Sequence, residues 1–174
     1  MKAITKKAIV IAIIAGLLVL LDGIISKLLN QTGSFTWVAF ISWTVFFGEP
    51  VKERLKAVVG YIIGFLAAVA IIKLGALSNI ISFNIFNVAV VSILATMIIN
   101  FLCIELEGIK KYFPISVSGI FVGISMVFSG LGVGLTVDSL QNSVLMLAII
   151  VIYGILGLLS GWATLKFGIK SEEK

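Results

Sequence analysis

The stretch FTWVAFISWTVFFGEP, from Phe35 to Pro50, decides how the rest of the chain is interpreted, because it is apolar but short. Its uncharged part runs from Phe35 to Gly48, which is 14 residues. A helix of that length spans roughly 21 Å, whereas the hydrocarbon core of a bilayer is about 30 Å thick. The stretch is therefore a short membrane-spanning helix, a re-entrant half-helix, or a buried segment of a soluble protein.

The composition of the chain excludes the soluble alternative. Hydrophobic residues make up 60% of the sequence and charged residues 12%, and the mean hydropathy is +1.23. Soluble domains are typically 45–50% apolar. The sequence predicts an all-α, polytopic membrane protein whose residues 1–174 form a single integral membrane domain in contact with the lipid bilayer.

Several functional classes have no support in the residues. The chain contains no histidine, which removes the commonest general base and metal ligand. No nucleophile is paired with a base, and no Gly-rich phosphate loop or cluster of metal ligands is present in the sequence. We therefore expect no enzymatic activity, no cofactor and no bound metal. The net charge of +5 reflects lysines placed at membrane boundaries, so we expect no nucleic-acid partner.

Six apolar segments are separated by short polar connections. They cover residues 8–29, 35–48, 55–75, 85–104, 114–130 and 141–165. With the N-terminus in the cytoplasm, six crossings place eleven of the 13 Lys and Arg residues on the cytoplasmic side and only Lys27 and Lys73 outside. This asymmetry predicts cytoplasmic N- and C-termini in a bacterial inner membrane. If residues 35–48 were re-entrant, the basic residues at 52–56 would lie outside, so we expect this segment to cross.

The lengths of the segments suggest an internal repeat. Their order is long, short, long and again long, short, long, with 35–48 and 114–130 as the short members. Because each half has three crossings, halves at about 1–75 and 85–165 would have opposite orientations. Short segments at matching positions of inverted halves are typical of transporters. We expect the two short segments to meet near the centre of the bundle, although the halves have no convincing sequence identity.

Asp22 is the one carboxylate within an apolar segment. Acidic residues inside a membrane are costly and often mark a functional site. The alternative is a structural role near the outer interface, with Lys27 or Ser26 as the partner of the carboxylate.

Polar residues also form a stripe on the fourth segment. Ser92, Thr96, Asn100, Cys103 and Glu107 follow one another at helical spacing and share one face. Such a stripe either forms hydrogen bonds between helices or lines a solute path.

The two short segments combine phenyl rings with hydroxyl groups, as the lining of a narrow, uncharged pore would. In the segment 114–130, Gly119 and Gly123 predict a close helix contact, as do the glycines of the third and sixth segments. The candidate residues of a solute path are Asp22, Phe40, Trp43, Thr44, Ser92, Thr96, Asn100, Ser118, Phe121, Ser125, Phe128 and Ser129.

Three motifs between Gly33 and Gly132 resemble the YcdZ-type family of small bacterial inner-membrane proteins, a family of unknown function. They are WVAFISWTVFFG from Trp37 to Gly48 with Pro50 beyond it, the Gly- and Ala-rich segment that follows, and FPISVSGIFVGISMVFSG from Phe113 to Gly130. The resemblance implies an inner-membrane location. It implies no substrate and no catalytic residue.

Three functions remain open at the level of the sequence. The first is a homo-oligomeric channel or facilitated transporter for a small, mostly uncharged solute or weak acid. The second is the substrate-binding membrane subunit of a vitamin-type importer, although the first outer loop is short for such a subunit. The third is a structural or regulatory membrane protein, which predicts that the polar groups of the fourth segment are satisfied within the protein.

Overall fold

A computed structural model describes residues 3–31, 34–48, 54, 56–81, 83–85, 88–106 and 115–168. Within these residues the chain forms six α-helices, which confirms the predicted all-α class. They are α1 (Ala3–Leu28), α2 (Thr36–Gly48), α3 (Ala57–Gly75), α4 (Val90–Glu105), α5 (Val117–Gly132) and α6 (Leu140–Ala163). A 3-10 turn, Ala76–Asn79, continues α3, and a π-helical turn, Thr164–Gly168, continues α6.

Three of the helices are long and apolar enough to cross a membrane. These spans are Ala8–Leu28, Ala57–Asn79 and Leu140–Phe167, with mean hydropathies of 2.9, 2.3 and 2.5. The other three helices are apolar but shorter. The chain thus has the helices of a membrane protein, and the segment around Phe40 is a short helix of 13 residues, as predicted.

The predicted order of lengths is wrong at the fourth segment. This segment was expected to be long from residue 85 onward, but α4 begins only at Val90 and has 16 residues, the same as α5. The residues before it form an antiparallel pair of two-residue strands, β1 (Asn84–Ile85) and β2 (Val88–Ala89). Because the backbone groups of these residues bond between the two strands and not along a helix, α4 is shorter than predicted.

Four helices form the centre of the bundle. The most extensive contacts are those of α3 with α5 and of α2 with α6, and smaller contacts join α3 to α6 and α2 to α5. The two remaining helices are peripheral: α4 packs mainly on α3, and α1 packs mainly on the π-helical turn after α6. Because of this position, only 11% of the apolar span of α1 is buried within the chain.

Glycines allow α3 and α5 to approach until their backbones touch. A Cβ atom added at Gly60 would lie 2.8 Å from Gly119 Cα, and one added at Gly64 would collide with the carbonyl oxygen of Ile120. A Cβ at Gly123 would lie 2.8 Å from Tyr61 Cα. The close helix contact predicted for Gly119 and Gly123 is therefore confirmed, and the glycines of α3 form its other side.

A second close contact joins α2 to α6. A Cβ atom added at Gly157 would collide with the carbonyl oxygen of Ala39 and would lie 2.6 Å from Ser42 Cβ. A Cβ at Gly154 would meet the ring of Tyr61 at 2.8 Å. The glycines of α6 thus hold α2 on one side and α3 on the other.

Side-chain caps fix the start of α6. The Ser139 hydroxyl accepts a hydrogen bond from Asn142 N at 3.2 Å. The exposed Asp138 carboxylate accepts hydrogen bonds from the Asn142 amide, the Thr136 hydroxyl and Ser139 N. The bonds from Asn142 and Thr136 lower the pKa of Asp138, since they favour the ionised form.

Candidate functional site

Asp22 is the centre of a polar cluster where α1, α2 and α6 meet. Its carboxyl group is buried, with 5% of the residue exposed. Five groups donate hydrogen bonds to the two oxygens: Ser26 Oγ at 3.2 Å, Ser34 Oγ at 2.5 Å, Phe35 N at 3.0 Å, Thr36 Oγ1 at 2.8 Å and Tyr153 Oη at 2.5 Å. None of these donors is charged, so the buried carboxylate is stabilised by neutral hydrogen bonds.

The donors come unequally from the three helices. Ser26 lies one turn after Asp22 on α1, and Ser34, Phe35 and Thr36 lie at the start of α2. Because Phe35 N belongs to the N-terminal end of α2, the carboxylate occupies the positive end of that helix. Tyr153 alone comes from α6, and its ring also packs edge-on against Phe35 at 5.9 Å between centroids.

The structure distinguishes between the partners expected for Asp22. The hydrogen bond from Ser26 is confirmed. Lys27 is exposed and is not among the five donors that hold the carboxylate. Asp22 therefore has a structural role in joining helices, while a role in transport stays a prediction.

A second polar cluster lies deeper along the contact of α2 with α6. The Ser42 hydroxyl donates a hydrogen bond to the carbonyl oxygen of Gly154 at 2.5 Å and lies 2.7 Å from Tyr61 Oη. Since the Ser42 proton is used by Gly154, the Tyr61 hydroxyl is the donor to Ser42. Gly154 follows Tyr153 directly, so adjacent residues of α6 anchor both clusters.

Sequence reasoning missed Tyr61, Tyr153 and Ser42. The chain has only three tyrosines, and two of them lie within long apolar spans. A phenol buried in an apolar environment needs a hydrogen-bond partner. The position of these tyrosines was the signal that could have predicted two polar contacts between helices.

The phenyl rings and hydroxyls of the short helices do not face the interior of the single chain. Although α2 and α5 contact each other, the faces that carry most of the predicted path residues point outward. Trp43 is buried and Ser118 is half-buried. The exposed path residues of these two helices are Phe40, Thr44, Phe121, Ser125, Phe128 and Ser129.

The polar stripe of α4 bonds largely to its own backbone. The Thr96 hydroxyl donates to the Ser92 carbonyl oxygen at 2.9 Å, and the Asn100 amide donates to the Thr96 carbonyl oxygen at 2.8 Å. Cys103 is buried, whereas Glu107 lies outside the described residues. The Thr96 hydroxyl and one N–H of the Asn100 amide therefore have acceptors without a second helix.

Three of the predicted path residues line a groove between α1 and α2. This groove has a volume of about 280 Å³ and is lined by Ile11, Ala15, Phe40, Trp43 and Thr44. The rings of Phe40 and Trp43 stack with centroids 6.1 Å apart. Among the described residues, no acceptor bonds the buried indole N–H of Trp43 or that of Trp37.

A more polar cavity of about 400 Å³ opens beside Asp22, with Ser26, Asn30, Gln31 and Ser34 in its lining. Its walls come from the last turn of α1 and the residues that follow. The backbone turns there at Asn30, whose φ is +54°. A left-handed residue at the end of a helix is a common cap, and Asn adopts it more readily than most residues.

These observations define an apolar, all-helical membrane protein with buried polar contacts between its helices. Comparison with known proteins assigns it to a family. The chain belongs to a family of proteins of unknown function, DUF1097, whose model matches residues 8–166. No curated protein and no solved structure was found to match the chain. The expected membership in an uncharacterised family is confirmed, while the YcdZ name stays a prediction.

Proposed function

We propose that the protein is a channel or facilitated transporter built from two inverted halves. It would cross a bacterial inner membrane six times, with both termini in the cytoplasm, and carry a small, mostly uncharged solute or weak acid. The observation that carries this proposal is that the contact of α3 with α5 and the contact of α2 with α6 are built from equivalent residues.

The short helices correspond after a shift of 81 residues. This shift pairs Phe40 with Phe121, Thr44 with Ser125 and Phe47 with Phe128, so each helix contains Phe-x-x-x-Thr/Ser-x-x-Phe. Residues 35–45 and 116–126 then agree in burial class at 10 of 11 positions. Both sequence and exposure therefore support a common origin of α2 and α5.

The helices that end each half correspond after a shift of 93 residues. Residues 57–75 and 150–168 share seven identical residues in 19, including Gly64 with Gly157 and the final Lys-x-Gly. Residues 57–74 and 150–167 have the same burial class at 16 of 18 positions. A repeat that was not convincing from sequence alone gains support from this alignment.

The same two shifts pair the close contacts. Gly64 of α3 meets the carbonyl oxygen of Ile120 on α5, and Gly157 of α6 meets the carbonyl oxygen of Ala39 on α2. The shift of 93 pairs Gly64 with Gly157, and the shift of 81 pairs Ala39 with Ile120. The peripheral helices follow the same pattern, because α4 packs on α3 and α1 packs on the turn that continues α6.

The repeat also groups the predicted path residues into two equivalent surfaces. Applying the shift of 81 to the lining of the α1–α2 groove gives Ser92, Thr96, Phe121, Ile124 and Ser125 on α4 and α5. Neither set contains a charged residue, which favours a mostly uncharged solute.

The outward position of these surfaces supports a homo-oligomer. Packing of a second copy against α2 and α5 would remove Phe40, Phe121 and Phe128 from the lipid and would enclose the grooves. Native mass spectrometry in detergent would then give masses at multiples of 18.6 kDa. A monomer alone would argue against a path between subunits.

Transport is tested by reconstitution into proteoliposomes. We expect a hyperosmotic challenge with a panel of small neutral solutes and weak acids to show faster entry than in protein-free vesicles. Ala15→Phe, which fills the groove, should reduce this flux. Val144→Phe, on an exposed position of α6, is the matched control and should not. Tight vesicles without flux for any solute would contradict the proposal.

The inverted orientation has its own test. Lys73 and Lys166 occupy equivalent positions at the ends of α3 and α6, so the proposed topology places them on opposite sides of the membrane. A membrane-impermeant amine reagent should modify Lys73 in intact cells and Lys166 only after permeabilisation. Modification of both from one side would exclude the inverted repeat.

A second candidate, a membrane protein without a transport path, is favoured by α4. The Thr96 hydroxyl and one N–H of the Asn100 amide bond to the backbone of their own helix, so these donors need no water-filled path. The flux experiment separates the two candidates, because this alternative predicts no flux in any oligomeric state.

A further inference from the structure

We infer that the contact between α2 and α6 at the Asp22 end of the bundle is a gate, and that the hydrogen bond from Tyr153 to Asp22 is its latch. This inference rests on the proposed function, in which the Asp22 end faces the outside of the cell. It identifies which end of the protein opens and which side chain of α6 holds that end closed.

The first observation is that most side chains of the Asp22 cluster have no polar counterpart at the described positions of the other proposed half. The repeat places Cys103 at the position of Asp22 and Gly60 at that of Tyr153, and it replaces Ser34 and Thr36 with Ile115 and Val117. The contact of α3 with α5 therefore has no carboxylate or phenol at these positions, and Ser116, which the repeat pairs with Phe35, bonds to the backbone of its own helix at Gly119 N.

The equivalent contact is instead closed by backbone. A Cβ atom added at Gly60 would lie 2.8 Å from both Gly119 Cα and the carbonyl oxygen of Ser116, and one added at Gly119 would lie 2.9 Å from Ala57 Cα. Two backbones in direct contact leave no side chain that could swing aside. The end with Gly60 is therefore fixed, and the end with Tyr153 is closed by side chains.

The second observation is that Tyr153 supplies the hydrogen bonds across the gate at this end, since its hydroxyl donates to Asp22 and also lies 3.5 Å from Ser26 Oγ. Ser26, Ser34, Phe35 and Thr36 all belong to α1 or to the start of α2, so they would move together with Asp22. Only Tyr153 reaches the carboxylate from α6. When α6 moves away, the carboxylate keeps four of its five donors, so opening does not leave a bare charge in the membrane.

The contact of Gly157 with Ala39 gives this movement a pivot. It lies about one turn along each helix from Tyr153 and Phe35, and there the two backbones touch. The hydrogen bond from Ser42 to Gly154 also holds α2 to α6 near this point. Rocking about the pivot would separate Phe35 from Tyr153 while the rest of the contact stays closed.

Cysteine labelling measures the opening directly. The native thiol is removed by Cys103→Ala, and Phe35→Cys places a thiol at the start of α2 where the contact with Tyr153 would open, at a position that is 1% exposed in the structure. A membrane-impermeant methanethiosulfonate reagent is applied to intact cells, and the rate of modification is compared with and without Tyr153→Phe. Loss of a hydrogen bond to a charged group should raise the rate roughly ten- to a hundredfold.

Tyr61→Phe is the matched control. It removes the hydroxyl of the other buried tyrosine, whose partner Ser42 lies in the same half, and should leave the labelling rate unchanged. If Tyr153→Phe does not yield folded protein, Asp22→Asn takes its place in the test. This variant removes the charge from the same hydrogen bond and should also accelerate labelling. An unchanged rate in a folded Tyr153→Phe variant, or equal acceleration by Tyr61→Phe, would overturn the latch. The labelling rate does not depend on transport. If the protein shows no solute flux but Tyr153→Phe accelerates labelling as expected, the proposed function is refuted and the latch is retained.

Discussion

The two major helix contacts differ in what fills them. Where α3 meets α5, glycines on both helices bring the backbones together from Gly60 to Gly123. Where α2 meets α6, the backbones touch near Gly157, and toward Asp22 the rings of Phe35 and Tyr153 pack between the helices. Equivalent positions in the proposed repeat thus carry a glycine in one contact and a tyrosine in the other.

This difference separates two ways of joining helices in a membrane. Close glycine contacts gain dispersion attraction, and the glycines themselves need no partner beyond the opposite backbone. A carboxylate between helices is stable only while donors surround it. The glycine contact therefore depends on shape, whereas the contact at Asp22 depends on hydrogen bonds that can be exchanged.

The largest effect is expected from filling the glycine contact. In Gly64→Ala the new methyl group would collide with the Ile120 carbonyl, so α3 and α5 must separate. We expect the free energy of unfolding to fall by about 3 kcal/mol or more, measured by SDS titration in mixed micelles. Gly16→Ala is the control, since nothing lies within 4 Å of a Cβ there. A folded Gly64→Ala protein of unchanged stability would show that the contact is looser than described.

The next largest effect is expected at the polar contact. Asp22→Ala leaves the Phe35 N–H and the Tyr153 hydroxyl without their acceptor, so we expect a loss of about 2–3 kcal/mol. Cys103→Ala changes the equivalent residue of the other proposed half, which is buried and for which the described residues give no hydrogen-bond donor, and should cost about 1 kcal/mol. Equal losses in the two variants would remove the distinction between the contacts.

Much of this architecture could be predicted from the sequence because periodicity and glycine spacing act locally. The short helix at Phe40 follows from the length of the apolar run, and the contact at Gly119 follows from a Gly-x-x-x-Gly pair. The partner of that pair could not be predicted, since nothing in the sequence says which helix lies opposite. The predicted start of α4 was wrong because the strands before it contain the apolar residues Ile85, Val88 and Ala89, which also suit a helix.

The candidate site was harder to predict because its parts are far apart in the chain. Asp22 and Tyr153 are separated by 131 residues, and their contact depends on the packing of α6 against α2. The hydroxyls of α5 were easier to find but were assigned to the wrong environment. Helical spacing places Ser125 and Phe121 on one face, yet it does not say whether that face points into the bundle or away from it.

A smaller effect is expected within the second polar cluster. Ser42→Ala removes the bond to Gly154 and leaves the Tyr61 hydroxyl buried without an acceptor, so we expect a loss of about 1.5 kcal/mol. Tyr61→Phe removes the same Ser42–Tyr61 bond but keeps the bond from Ser42 to Gly154. The cost of Ser42→Ala should therefore be larger, and the reverse order in SDS titration would contradict the assigned direction of donation.

The smallest effect is expected on α4, where a polar group lies outside both major helix contacts. Thr96 is exposed and bonds to the Ser92 carbonyl of its own helix, so Thr96→Val should change the free energy of unfolding by less than about 0.5 kcal/mol. Its effect on solute flux is the more informative measurement. Thr96 corresponds to Ala15 in the lining of the α1–α2 groove, so a path through the equivalent surface would be altered by the loss of the hydroxyl. A variant with native stability and altered flux would place Thr96 on the path, whereas native flux would leave α4 with a structural role.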